Sequence, residues 1–124
     1  MIPFRNRFHG HNSLRYVYKN GKAVRSRLLT VKTTPNKHRK ESRVAVVISK
    51  KVLKSAVKRN RVRRRVYEYI RSQFSNLNSV YDIVVIISSG EILSITHSEL
   101  SNQLLQLFYQ SEIIKNTTDI SKNQ

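Results

Sequence analysis

Lys58 to Arg65 carries six cations in eight residues, broken only by Asn60 and Val62. The surrounding stretch, Ser55 to Phe74, has no Gly or Pro and reads as a helix. At about 100° per residue, Val62, Val66, Tyr69, Ile70 and Phe74 fall on one arc. Arg61, Arg64, Arg65 and Arg71 fall on roughly the opposite arc. One face can therefore be buried while the other presents a row of guanidinium groups. Ser55 is the expected N-cap, because its hydroxyl can accept a bond from an early helical N–H. Like charges three and four residues apart repel by a few tenths of a kcal/mol per pair, and only Glu68 offsets them nearby. A merely solvated face mixes signs. A polyanionic partner is the better account, since arginine forks match phosphate bidentately and stack on exposed bases.

Charge along the whole chain points the same way. The net charge is +17 over 124 residues. Residues 1–80 hold 22 Lys or Arg against two acids, whereas residues 81–124 hold two against five. That asymmetry assigns the first two-thirds to a nucleic-acid partner. An anionic membrane surface is the weaker option, because a membrane helix wants bulky apolar residues on its far face and no sheet beside it. No apolar run reaches the roughly 18 residues of a membrane span. The start, MIPFRNRFHGHN, lacks the apolar stretch of a signal peptide, so a cytoplasmic protein is expected. There is no Cys, which excludes disulfides and thiolate metal sites.

The chain length supports one domain. Phe4 to Asn12 reads as an extended or poorly ordered part of a basic arm over residues 1–12, and Gly10 argues against helix there. Residues 13–115 form the domain. A short helix runs from Ser13 to Asn20, with Asn12 or Ser13 as cap and Gly21 as stop. Its face combines Leu14, Val17 and Tyr18. Arg27 to Thr34 reads as a strand ended by Pro35. Arg43 to Ile48 is a second strand, placed centrally by its continuous apolar run. Ser49 to Lys54 feeds the basic helix, and Asn78 is the expected left-handed stop after it. Tyr81 to Ile87 is a further apolar strand. Thr96 with Glu99 has capping-box spacing and opens a last helix with Leu100, Leu104, Leu107 and Phe108 on its core face. Residues 116–124 form a polar tail expected to be disordered.

With these elements in place, a family resemblance can be read from the residues. Lys58-Arg59-Asn60-Arg61-Val62-Arg63-Arg64 resembles the RNR motif of the bacterial ribonuclease P protein family. Arg5-Asn6-Arg7-Phe8 and Leu14 to Gly21 are similar to that family's basic N-terminus and first helix. Arg43 to Lys51 resembles the strand and loop before its RNR helix, and Tyr81 to Ile86 the strand after it. The match spans about residues 5 to 112 in the right order. It implies an α+β single-domain sandwich of order α-β-β(-β)-α-β-α, like the second domain of a small-subunit ribosomal protein. Strand–helix–strand crossovers are right-handed by default; the resemblance implies the rarer left-handed form, and the sequence itself does not decide.

For function, the resemblance implies an RNA-binding subunit of ribonuclease P. That ribonucleoprotein removes the 5′ leader of precursor tRNA by endonucleolytic hydrolysis. Lys50, Lys51, Lys54, Lys58, Arg59, Asn60, Arg61, Arg63, Arg64 and Arg65 would bind the RNA subunit. Leu14, Tyr18, Arg27 and Lys32 would line the cleft for the single-stranded leader. Leu14 stands where the family often has an aromatic, and Lys32 where it often has Tyr. Arg65 and Tyr67 depart from the usual apolar and basic pair. The residues themselves offer no catalytic constellation: His9, His11, His38 and His97 lack paired acids, and Glu41, Glu68 and Asp82 are scattered. A self-sufficient nuclease needs carboxylates to hold metal ions. In this family the RNA is the catalyst and holds most of the Mg2+. The alternative reading is a ribosomal or translation-associated protein binding folded rRNA. A DNA reader fits less well, because a strand rather than a helix and short turn precedes the basic helix.

Overall fold

The computed structural model describes residues 4–8 and 10–115. The expected tail at 116–124, residues 1–3 of the arm and His9 lie outside the described residues. In chain order the elements are α1 (His11–Asn20), β1 (Lys22–Arg25), β2 (Leu29–Pro35), β3 (Arg43–Ile48), α2 (Ala56–Gln73), β4 (Tyr81–Ile87) and α3 (His97–Ser111). Short 3-10 turns occupy Phe4–Asn6, Phe74–Asn76 and Gly90–Leu93. The architecture is the expected α+β single domain, with the third strand present.

One sheet carries the order β1-β2-β4-β3. β1 and β2 are antiparallel, as are β2 and β4, while β3 runs parallel to β4 across the α2 crossover. The register lines up Val24, Val31, Val85 and Val46 in one row across all four strands. That face packs against α2 through Val62, Val66, Tyr69 and Ile70, and against α3 through Leu100, Leu104, Leu107 and Phe108. Magnitudes explain why α2 tolerates its cations. Each buried large apolar side chain contributes about 1.5–3 kcal/mol, several times the repulsion of a like-charge pair. Ser55 caps α2 by accepting the Lys58 N–H at 3.3 Å, and Thr96 caps α3 by accepting the Glu99 N–H at 3.1 Å.

Several local expectations change. α1 starts two residues early, at His11, with Gly10 as its N-cap at φ 85° and no side-chain cap bond. The glycine does not oppose the helix; its left-handed backbone turns the chain into it. Residues 4–8 do not stand free: Asn6 is buried and donates to the Ser42 carbonyl at 2.8 Å, and Arg7 bridges in parallel to Val44. Arg27 lies in the turn between β1 and β2 rather than in a strand, and the four residues of β1 were too short to read. β3 is an outer strand, not a central one. Its apolar run is explained by α2 on one face and, on the other, by the cavity that Ala45 shares with Phe8 and Leu14. Asn78 is not left-handed; among the described residues the one non-glycine with positive φ is Glu112, which ends α3 at φ 61°. Asn78 instead ties the chain back by donating its N–H to the Ile113 carbonyl at 2.9 Å.

Candidate RNA interface

The second face of the sheet makes the site. α1 crosses β2 and β4 on this face, and Val17 beneath it is fully buried, as is Val84 of β4. Gly21 ends α1 where there is no room for a side chain: a Cβ there would lie 2.5 Å from the Val17 carbonyl oxygen of α1 itself and 3.3 Å from the Thr33 carbonyl oxygen of β2. The helix covers only part of the face. The next cross-strand row, Arg25, Thr30, Ile86 and Val47, remains half-buried or exposed. A cleft is left with Leu14 and Tyr18 on the helix side and the sheet as floor.

At the C-terminal end of α1, Lys32 of β2 reaches up from the sheet. Its Nζ lies 5.1 Å from the Tyr18 ring centroid and donates to the Tyr18 carbonyl at 3.0 Å. The ammonium thus meets both the ring face and the negative end of the helix. Partial burial raises the Tyr18 hydroxyl pKa, so the ring is neutral at physiological pH, and the charge at this end comes from Lys32 together with the exposed Lys19 of the last turn of α1. At the other end, Leu14 shares a cavity of about 400 Å³ with Arg7, Phe8, His11, Ala45 and Tyr67. Leu14 stands where the family often has an aromatic, and two rings, Phe8 and Tyr67, stand around it. Arg27 is not gathered with Tyr18 and Lys32, and pairs instead with Glu91.

On α2 the cations divide into two groups. Lys58, Asn60, Arg61 and Arg64 are exposed, as are Lys50, Lys51 and Lys54 of the preceding loop. Arg63 is half-buried and donates to the Asn60 side-chain Oδ1 at 3.0 Å. Arg59 is spent on the fold, donating to the Leu53 and Lys54 carbonyls at 2.8 and 2.9 Å. Arg65 is likewise spent: it donates to the Ile92 and Ile95 carbonyls at 3.2 and 3.0 Å and holds the segment before α3. Both flank the buried arc of α2, which is why their guanidinium groups find carbonyls rather than water. The departure at Arg65 from an apolar residue is therefore accommodated by hydrogen bonding.

A further group was missed in the sequence. Arg43 and Asp82 form a buried, two-pronged ion pair at 2.9 and 2.7 Å. Asn36 also donates to Asp82 at 3.0 Å, Arg43 donates to the Ser13 hydroxyl at 3.3 Å, and its guanidinium lies 4.8 Å from the Phe8 ring centroid. This network ties the N-terminal segment, α1, β3 and β4 together. The available signal was one lone charge near the start of each of two apolar strands that pair in parallel. Among the described residues no three His, Cys, Asp or Glu side chains come together as a metal site, and no helix is long and apolar enough to cross a membrane.

A basic helix crossing over a four-stranded sheet, beside a half-open cleft with rings and cations, defines an RNA-binding α+β protein. The comparisons name its kind. The family model described as Ribonuclease P matches residues 2–112. The ribonuclease P protein component of Prochlorococcus marinus is 30% identical over 127 residues, covering 92% of this chain and 98% of its own. That of Desulfosudis oleivorans is 35% identical over 96 residues, covering 77% and 76%. Among solved structures, the Staphylococcus aureus RNase P protein aligns with a TM-score of 0.79 at 25% identity, covering 89% of this chain and 98% of its own. The Thermotoga maritima RNase P protein aligns with a TM-score of 0.72 at 26% identity, covering 82% and 93%. The chain belongs to the ribonuclease P protein family. It is a protein component of a tRNA-processing endonuclease, whose ribonucleoprotein nature supplies an RNA subunit as partner; the ribosomal alternative gains nothing from these matches.

Proposed function

We propose that this chain is the non-catalytic subunit of its ribonuclease P, holding the RNA subunit on one side and the precursor tRNA leader on another. Lys50, Lys51, Lys54, Lys58, Asn60, Arg61, Arg63 and Arg64 face the RNA subunit, which carries the catalysis and most of the Mg2+. Arg59 and Arg65 shape that surface by fixing the segments beside it. The leader lies in the cleft beside α1, with a base against Tyr18 and a phosphate near Lys32; Leu14, Phe8 and Tyr67 shape its far end. The work is done where RNA is, in the cytoplasm.

The observation that carries the leader reading is the Lys32 ammonium held 5.1 Å from the Tyr18 ring centroid at the margin of an uncovered sheet row. Stacking on one ring contributes roughly 1–3 kcal/mol per base, and an exposed charge contributes less because salt screens it over about 8–10 Å. Tyr18→Ala is expected to lower the holoenzyme's affinity for precursor tRNA about tenfold. Affinity for mature tRNA, which has no leader, should hold. The ratio of the two affinities, measured for wild type and Tyr18→Ala at two salt concentrations, is the test. A ratio unchanged alongside a lowered melting temperature would assign Tyr18 to packing alone.

A further inference from the structure

On the flank of α1 opposite the cleft lies a second cavity, of about 640 Å³, between the helix and the connection from β2 to β3. Ser13 and Tyr16 form its helix wall, Thr34 to His38 its rim, and the Arg43–Asp82 pair its floor. Its size lies within the range of about 300–1,000 Å³ typical of small-ligand sites. Tyr16 is 58% exposed, the largest exposure of any aromatic among the described residues. Neither the core nor the cleft uses this ring. Lys37 and His38 are exposed beside it, and the rim is shaped by Asn36, whose side chain accepts the His38 N–H at 3.2 Å and donates to Asp82 at 3.0 Å. The floor is preformed, because Asp82 is 4% and Arg43 8% exposed. The acids nearby are neutralised: Asp82 by Arg43, and Glu41 by Arg5. The hollow therefore offers an unused ring face, a cationic rim and a rigid polar base.

From this geometry we infer that the hollow beside Tyr16 is a second nucleotide-binding site, taking one unpaired nucleotide of RNA with its base on the Tyr16 ring and its phosphate at Lys37. Ring faces accept any base, and a lysine point charge suits a phosphate. The inference rests on the RNA-binding reading above. The nucleotide can come from the RNA subunit or from the precursor tRNA, and the two sources present the same chemistry.

The test uses the full chain and the assembled holoenzyme. Affinity for the RNA subunit, and affinity of the holoenzyme for precursor tRNA, are measured for wild type, Tyr16→Ala, Tyr16→Leu, Tyr16→Phe and Lys37→Ala, with Arg61→Ala as reference. Tyr16→Ala and Tyr16→Leu should each weaken one of the two affinities about fivefold or more. Tyr16→Phe should match wild type, because the ring and not the hydroxyl does the binding. Lys37→Ala should give a smaller loss that fades with added salt. Loss confined to the RNA subunit identifies that molecule as the source; loss confined to precursor tRNA identifies the substrate. Wild-type affinities in both Tyr16→Ala and Tyr16→Leu, with Arg61→Ala impaired, would overturn the second site and leave the RNA reading intact. Equal losses in Tyr16→Phe and Tyr16→Ala would overturn stacking. Failure of the wild-type chain to bind the RNA subunit would instead strike the reading beneath it.

Discussion

Arg61 and Arg65 sit one helical turn apart and do different jobs. Arg61 ends in solvent, while Arg65 satisfies two carbonyls in the segment that leads to α3. Hydrogen bonds to a charged group are worth about 1.5–3 kcal/mol each in favourable cases. Arg65→Ala is therefore expected to lower unfolding free energy by about 1–3 kcal/mol while leaving RNA affinity per folded molecule close to wild type. Arg61→Ala should do the reverse, and paired denaturation and RNA titrations separate the two. Tyr69 poses the opposite case. It is 8% exposed with its ring 6.3 Å from that of Phe108, yet its hydroxyl has no hydrogen-bond partner. Burial, with a smaller contribution from Tyr109, pushes its pKa up to about 12. The folded state thus holds the proton after the unfolded chain has released it near pH 10, so this stability is whole below pH 10 and is lost as pH rises toward 12. Tyr69→Phe should cost little at pH 7, because it removes an unmet polar group, and should flatten the loss of melting temperature above pH 10.

At the scale of elements, α1 is set by how closely it can approach β2. Gly21 closes the helix with an extended backbone, φ −70° and ψ 145°, so its role is space rather than handedness. Gly21→Ala would place a methyl group against the Val17 carbonyl and near that of Thr33. The expected cost is about 1–3 kcal/mol, the range of overpacking, with weakened precursor tRNA binding as α1 shifts; a melting curve and a leader-dependent affinity measure both. The same pairing of elements explains what was readable beforehand. β3, β4 and the two faces of α2 follow from local pattern, and their ranges match the expectation residue for residue in both strands. The outer position of β3 was not readable, because an apolar run reports burial and not which neighbour supplies it. Nor was the docking of residues 4–8, which depends on Asn6 meeting Ser42 from 36 positions away. In the site, Tyr18 and Lys32 were placed together by family likeness. The division among the arginines was not: the spacing grouped Arg65 with Arg61, Arg64 and Arg71 on the far arc, whereas the half-buried Arg65 turns to the Ile92 and Ile95 carbonyls beyond α2, which no periodicity within the helix reports.

For the molecule as a whole, the uneven charge sets how it meets RNA. Each phosphate neutralised on a duplex contributes slightly under one unit to the slope of log affinity against log salt, and single strands somewhat less. The loop before α2 and the first half of that helix expose six cations, Lys50, Lys51, Lys54, Lys58, Arg61 and Arg64. Affinity for the RNA subunit should therefore fall with a slope of several units, and a titration across salt concentrations reads it directly; a near-flat slope would remove phosphate contact as the main attraction. The sheet's far margin carries another consequence of charge. β1 is the outermost strand, four residues long, with Lys22 and Arg25 at its ends both exposed. A strand from a second molecule seeking to extend the sheet there would have to bring its own copies of these cations alongside them. The short length and the repulsion together make that margin a poor template, so the strand that ends the sheet also guards the molecule against sticking to itself.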